Sequence, residues 1–351
     1  MVLRYYGYTI GDTDADPSLA GNQLQVFRFA IPPAGSSGVT VIPELVGLVT
    51  VPTSTSASFE LEGLGTNPVS RRVSAVNEPK PGTDPDLAIR VGPVDRPFGS
   101  ASIVTPTRTP SNLNRFGTES GADFGRDFSV SSQPVVLYNL SSNDDPDEGP
   151  IGSSLYKITT STPGTISLVD STPTAAEIAG TTPTNPGKYA DGLAVDNLMP
   201  GRYRALASDI RTTDDAASDP TKNNLYKVDL LTGQLSAPIA LYSSLANNRP
   251  LALNLDSGLA FTRVSTSNPG GQRLVALLED GKVIAIQPTD SVVNGITRYG
   301  YLDDFNAAGL GIGDGRASAF LLGRVDFAAA GGIAGADYEG FAAVYEDSIT
   351  G

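Results

Sequence analysis

The sequence contains no His, no Cys and no Trp. Without His or Cys it can assemble neither a Ser-His-Asp triad nor a Cys-His pair, and a zinc site of nitrogen or sulfur ligands is excluded. Disulfides are impossible, so packing alone must hold the fold. Positive charge is scarce too. Lys and Arg number 24 against 38 Asp and Glu, a net charge of −14, and the basic residues do not cluster. That balance argues against nucleic acid and anionic membrane surfaces as partners. No apolar run approaches the roughly 18 residues that a membrane span requires. The opening residues, Met1-Val2-Leu3-Arg4-Tyr5-Tyr6, lack the basic stretch and apolar core of an export signal. The expectation is a protein made and folded in a cytoplasm, or one exported without an N-terminal signal.

What is present points to strands. The 351 residues are 40% hydrophobic, enough to bury a sizeable core. Gly 38 and Pro 26 imply many turns between short elements. Helical periodicity is confined to Thr174 to Ala179 and to Asp326 to Ala336, the latter broken by Gly331 and Gly332. Alternating apolar runs are frequent: Leu24 to Phe29, Val39 to Ile42, Ser58 to Leu61 and Lys282 to Ile286. Glu279-Asp280-Gly281-Lys282 reads as a hairpin turn with Gly at positive φ. The fold class is all-β. Residues 1–133 read as an irregular β region, because Pro79 to Pro85 and Thr105 to Pro110 cannot be strand interiors. Those segments read as long loops, or as arms that dock on a neighbouring subunit. Residues 134–351 read as a repeat-bearing region.

The repeat is visible at two sites. Leu155-Tyr156-Lys157-Ile158-Thr159 leads to Pro163-Gly164-Thr165-Ile166-Ser167, and Leu225-Tyr226-Lys227-Val228-Asp229 leads to Thr232-Gly233-Gln234-Leu235-Ser236. Second units follow each, Asp191-Gly192-Leu193-Ala194-Val195-Asp196 and Pro250-Leu251-Ala252-Leu253-Asn254. Leu274 to Leu278 with Asp280 to Ile284 reads as a degenerate third copy, and Ala343 to Gly351 as an opening strand cut off at its turn. Over residues 154–289 this LYKVD-x-x-TG pattern resembles bacterial β-propeller repeats. That resemblance implies an irregular β-propeller of about seven blades, at about 40–50 residues per blade. A terminal strand would then complete a blade begun at the other end. The alternative is a set of β-sandwich domains with long Pro-rich loops.

Candidate ligand residues are carboxylates on loops. Asp12, Asp14 and Asp16 alternate in one, Asp144, Asp145 and Asp147 cluster in a second, and Asp303 and Asp304 with Asn306 and Asp314 form a third. Such oxygens suit Ca²⁺, or form solvated acidic turns. Gly309 to Gly315 lacks the Lys-Ser/Thr of a phosphate loop and reads as a plain Gly-rich loop. Two-carboxylate glycoside hydrolysis would draw on Glu60, Glu62, Glu279 or Asp280, but no Trp is present to serve as a sugar platform. Tyr5, Tyr6, Tyr156, Tyr203, Tyr226 and Tyr299 read as strand residues, and Arg71-Arg72 as a surface pair.

Taken together, the composition bears a general likeness to phage virion surface proteins of the decoration, knob or fibre type. The expectation is a structural protein without catalytic residues, partnered by other subunits of its assembly on a virion surface. The alternatives are an exported adhesin or matrix propeller binding glycan or Ca²⁺ at a cell surface, and a carboxylate-based glycoside hydrolase.

Overall fold

The computed structural model describes residues 4–11, 23–33, 36–50, 61–78, 88–91, 103–147, 149–159, 164–198, 200–209, 224–243, 249–250, 257–263, 272–288, 291–293, 296–298, 316–333, 336–338 and 340–345. Five antiparallel meanders of four strands account for most of them, the fourth and fifth joined by a parallel pairing of their outer strands into one larger sheet. The first blade holds β1 (Tyr5–Gly11), β2 (Gln23–Ala30) and β3 (Glu44–Thr50). The second is β4 (Leu61–Thr66), β5 (Val73–Asn77), β6 (Ala88–Val91) and β7 (Ile103–Val104). The third is β8 (Glu119–Arg126), β9 (Val135–Asn143), β10 (Gly152–Thr159) and β11 (Thr165–Leu168). The fourth is β12 (Gly192–Val195), β13 (Ala205–Asp209), β14 (Asn224–Lys227) and β15 (Ile239–Ser243). The fifth is β16 (Ser257–Arg263), β17 (Gln272–Leu278), β18 (Lys282–Pro288) and β19 (Arg316–Val325). Strand β20 (Ala342–Tyr345) then returns to pair with β1, Tyr6 opposite Val344, and becomes the innermost strand of the first blade. The ring is closed by a strand from the far end of the chain.

The innermost strands stand side by side around one axis: β20 touches β4, β4 touches β8, β8 touches β12, β12 touches β16, and β16 touches β20. Five apolar cores fill the five gaps. Tyr8, Leu24 and Val26 meet Leu64 and Val73 between the first and second blades. Val76 meets Phe124, Leu137 and Tyr156 between the second and third. Tyr138, Leu140 and Leu155 meet Leu193 and Tyr226 between the third and fourth. Leu206 and Leu225 meet Leu259 and Leu274 in the next gap, and Val275 and Leu277 meet Phe27, Phe29 and Phe341 in the last. Each sheet is buried on both faces, which is why its strands carry apolar side chains at successive positions rather than strictly alternating ones. The protein is an irregular β-propeller.

A two-residue device repeats at the axis. Gly63, Gly121, Gly192, Gly258 and Gly340 each sit in or close to the start of an innermost strand and are each followed by an apolar residue: Leu64, Ala122, Leu193, Leu259 and Phe341. A Cβ on Gly340 would strike Glu62 O, one on Gly63 the Ser120 and Ala122 side chains, one on Gly121 Asp191 O, and one on Gly192 Ser257 O. The glycines let each inner strand press against the backbone of the next. The residue after each glycine turns back into the core shared with the preceding blade, and each of the five cores receives one of them.

Several expectations meet this ring directly. The Leu-Tyr-Lys segments occupy equivalent third strands, β10 and β14, of neighbouring blades. In both, the Tyr is buried toward the preceding blade and the Leu toward the following one. Among the described residues five blades stand where about seven were expected, each unit being lengthened by long connections. The Leu274 to Leu278 copy is out of step, since it forms the second and third strands of its blade rather than the third and fourth. The counterpart of Asp191 to Asp196 is Ser257 to Arg263, not the segment at Pro250. The boundary placed at residue 133 falls inside the third blade, where β8 and β9 pair along their whole length. Thr107–Arg108 within Thr105 to Pro110 adds a short parallel edge strand beside β11 on its own blade, with prolines flanking it. Pro79 to Pro85 lies outside the described residues. Among the described residues, helix is restricted to Ala175–Ile178, whose N-terminus carries a capping box between Thr174 and Glu177, and a 3-10 turn at Ala328–Ala330. Among the described residues no helix is long and apolar enough to cross a membrane.

The turn after β14 gives a direct check on this arrangement. Gly233 has φ +71, donates to Asp229 O at 2.8 Å, and faces Val169 O of the third blade. Asp229 caps the same turn, accepting from Leu231 N at 3.0 Å, Thr232 Oγ1 at 2.6 Å and Arg202 Nε at 2.6 Å. Gly233→Val adds a left-handed β-branched residue and a backbone clash, and is expected to cost about 2–4 kcal/mol. An unchanged melting temperature would refute the turn.

Candidate functional site

The axis has three levels, each set by the register of the inner strands. At the end where those strands begin, the residues preceding the glycines, Glu62, Ser120, Asp191 and Ser257, form a polar collar. Next comes the apolar level of Leu64, Ala122, Leu193, Leu259 and Phe341, all buried. Between these levels remains a cavity of about 10 Å³, room for one water. Beyond the apolar level the axis opens into a cavity of about 380 Å³.

The collar is acidic. Carboxylate oxygens of Glu62, Glu78 and Glu119 lie within 4.8 Å of one another. Arg115 is buried close by, donating to Asn139 Oδ1 at 2.6 Å and to Asn77 O, next to Glu78, at 2.6 Å. Asp191 accepts from Tyr189 Oη at 2.9 Å and from Gly192 N at 2.6 Å. Burial, reinforced by the negative charge of Glu119, pushes the Asp191 carboxyl up to about 7. The three glutamates are the carboxylates best placed among the described residues to hold a cation. One oxygen from each falls short of the roughly six to eight that Ca²⁺ takes.

The opposite cavity is mixed. Asp123 lies in its floor, with Oδ1 accepting from Phe124 N at 2.8 Å and Thr66 N at 3.2 Å, and Oδ2 accepting from Val195 N at 2.8 Å. One carboxyl thus ties together the inner strands β4, β8 and β12. Burial raises it to about 7 against the opposing effect of these three N–H donors. Tyr5, Phe261 and Tyr345 supply aromatic walls above the buried Phe341, and Thr66, Asn67, Arg71 and Asn197 supply polar groups. Tyr5 and Tyr345 meet with ring centroids 5.4 Å apart, while Phe341 stacks on Phe29. Asn197 is fixed by donating Nδ2 to Phe124 O at 2.6 Å.

The acidic loops fall elsewhere. Asp12, Asp14 and Asp16 lie outside the described residues, as do Asp303, Asp304, Asn306, Asp314 and the Gly309 to Gly315 loop. Asp144, Asp145 and Asp147 sit in the β9–β10 connection away from the axis, where Asp145 Oδ1 caps Asp147 N at 2.8 Å and Asn143 Oδ1 caps Asp145 N at 3.1 Å. They are not among the carboxylates that converge. Of the residues considered for hydrolysis, Glu62 reaches the axial collar and Glu60 lies outside the described residues. Glu279 and Asp280 occupy the peripheral β17–β18 turn, where Asp280 pairs with Lys282. Asp123 and Asn197 carry no motif that would have singled them out, and Arg71, read as a surface residue, stands at the cavity rim. The one signal was the recurring Gly-apolar pair, two residues long and unevenly spaced.

No family model and no curated protein matches the chain. Among solved structures, a mutant of the GH43 protein BlXynB from Bacillus licheniformis aligns over 92% of this chain and 72% of its own at 12% identity and a TM-score of 0.22. The fold itself rests on the strand pairing and the five cores. The expectation of a protein without catalytic residues meets two buried carboxyls at the axis, Asp123 and Asp191, that no sequence motif had marked.

Proposed function

We propose that this propeller binds a carbohydrate in its 380 Å³ axial cavity. The observation that carries the reading is the composition of that cavity: three aromatic residues, Tyr5, Phe261 and Tyr345, beside a buried carboxyl, two side-chain amides, a hydroxyl and a guanidinium. Its volume lies in the range of ligand pockets. Sugar rings offer C–H faces that stack on aromatic rings and hydroxyls that need fixed hydrogen-bond partners. Tyr and Phe supply the platform that Trp would otherwise supply. Asp123 is the carboxyl among the described lining residues, and Asp191 stands beyond the apolar level, so one carboxyl faces the cavity. Display on a virion or a cell surface is compatible with such a site.

The test is a glycan array probed with the full chain, followed by titration of the best binder. Tyr345→Ala is expected to weaken that binding about two- to tenfold, from the roughly 0.5–1.5 kcal/mol that an aromatic contact contributes, with little change in melting temperature. Release of new reducing ends during the titration would add turnover to the reading. An array on which no saccharide binds would remove it.

A further inference from the structure

The hairpin joining β4 to β5 overhangs the cavity, with Asn67, Pro68 and Arg71 at its rim. Asn67 organises the turn, its Oδ1 accepting from Val69 N at 2.9 Å and Ser70 N at 3.0 Å. Arg71 N donates to Asn67 O at 2.8 Å, and Asn67 N to Arg72 O at 2.8 Å. Arg71 closes this turn at φ +58. That left-handed conformation is sterically costly for any residue with a Cβ and free for glycine. A glycine would make the same turn without strain, and the arginine that stands there instead brings a guanidinium to the cavity rim. Arg71 is also the one cation among the described residues that line the cavity, in a chain with a net charge of −14.

We infer that Arg71 receives the carboxylate of an acidic sugar, so that the ligand class is a saccharide bearing a hexuronate or sialate group. The inference rests on the carbohydrate reading above. A guanidinium presents two parallel N–H donors to a carboxylate, a match that a neutral sugar hydroxyl does not offer. The strained turn fixes where those donors start, on the opposite side of the cavity from the protein interior. Asp123, held up to about 7 by burial, is substantially protonated below neutrality and then adds no repulsion against an acid. The sugar ring lies against the aromatic walls with its charged group at the rim.

The experiment uses the full chain on an array carrying hexuronate- and sialate-terminated glycans beside their neutral counterparts. The best acidic glycan and its methyl ester, which removes the charge and adds one methyl, are then titrated. Wild type is expected to bind the acid at least about tenfold more tightly than the ester, as a charged hydrogen-bond pair implies. Arg71→Gly is expected to erase that preference, binding acid and ester alike, while its melting temperature stays level or rises because the strain is relieved. Arg71→Asn, which tolerates positive φ, serves as the second variant with the same expectation. Equal wild-type affinity for acid and ester would overturn the inference and leave the carbohydrate reading standing. So would a preference that survives in both variants. Absence of binding to any saccharide would overturn both.

Discussion

Gly121→Ala is expected to lower stability by at least about 4 kcal/mol, in the upper tail for a single substitution. The added methyl would land on Asp191 O, with Asp191 C at 2.7 Å and Leu193 N at 2.9 Å. All three are backbone atoms at the start of the neighbouring inner strand, so no side chain can rotate away. Relief requires the third and fourth blades to part, which would open the core around Tyr138, Leu193 and Tyr226. For a chain of this length the melting temperature should fall by roughly 5 °C or more. Gly38→Ala is the control. Gly38 has φ +65 and nothing within 4 Å of an added methyl, so it bears the conformational cost of about 1–2 kcal/mol alone. If the two variants melt together, the inner strands do not approach as described and the ring is wrong in its central feature.

The parts of this fold that were legible in the sequence are those set by local chemistry. Leu155-Tyr156-Lys157 and Leu225-Tyr226-Lys227 announced equivalent strands because a two-faced blade strand needs an apolar residue on each side and a tight turn after it. Gly233 and Gly281 announced their turns, and both have positive φ. Ala343 to Tyr345 was recognisable as a strand without a partner nearby in sequence, and the structure gives it one at β1. Blade number was not legible. The connections vary so much in length that Gly63, Gly121, Gly192, Gly258 and Gly340 show no period, and glycine followed by an apolar residue is common anywhere. The site was hidden for a related reason. Asp123, Asn197 and Arg71 come from three segments far apart in sequence, and only closure of the ring brings them to one cavity. A cluster such as Asp144, Asp145 and Asp147 is conspicuous because its members adjoin along the chain, whereas the carboxyls at the axis are brought together by geometry.

Raising the pH from about 4 to about 8 is expected to destabilise this protein, opposite to the gain that ion-paired carboxylates usually confer. Asp123 and Asp191 are both raised from 3.8 to about 7 in the folded state. The folded chain therefore holds their protons through a range in which the unfolded chain has released them. Stability linked to them is fully present below about pH 4 and is lost as the pH rises through about 7. At about 1.4 kcal/mol per unit, each contributes on the order of 3–4 kcal/mol across that window. Asp127 and Asp229 work in the other sense. Burial would raise them, but the Lys157 and Arg202 partners and the hydroxyl and N–H donors around them hold both below the usual carboxylate value. Their stability is present above the unfolded value and lost as the pH falls further, so it lies outside this window. Melting temperature should consequently decline by roughly 5–10 °C between about pH 4 and about pH 8. Asp191→Asn is the discriminating variant. An amide at that position still accepts from Gly192 N and can donate to Tyr189 Oη, so the local bonds survive while the titration disappears. It should melt higher than wild type at the alkaline end, match it at the acidic end, and carry about half the slope. A wild-type melt that is flat or rising over this range, or an Asp191→Asn variant with an unchanged slope, would mean that this carboxyl is charged and solvated at the axis rather than held protonated within it.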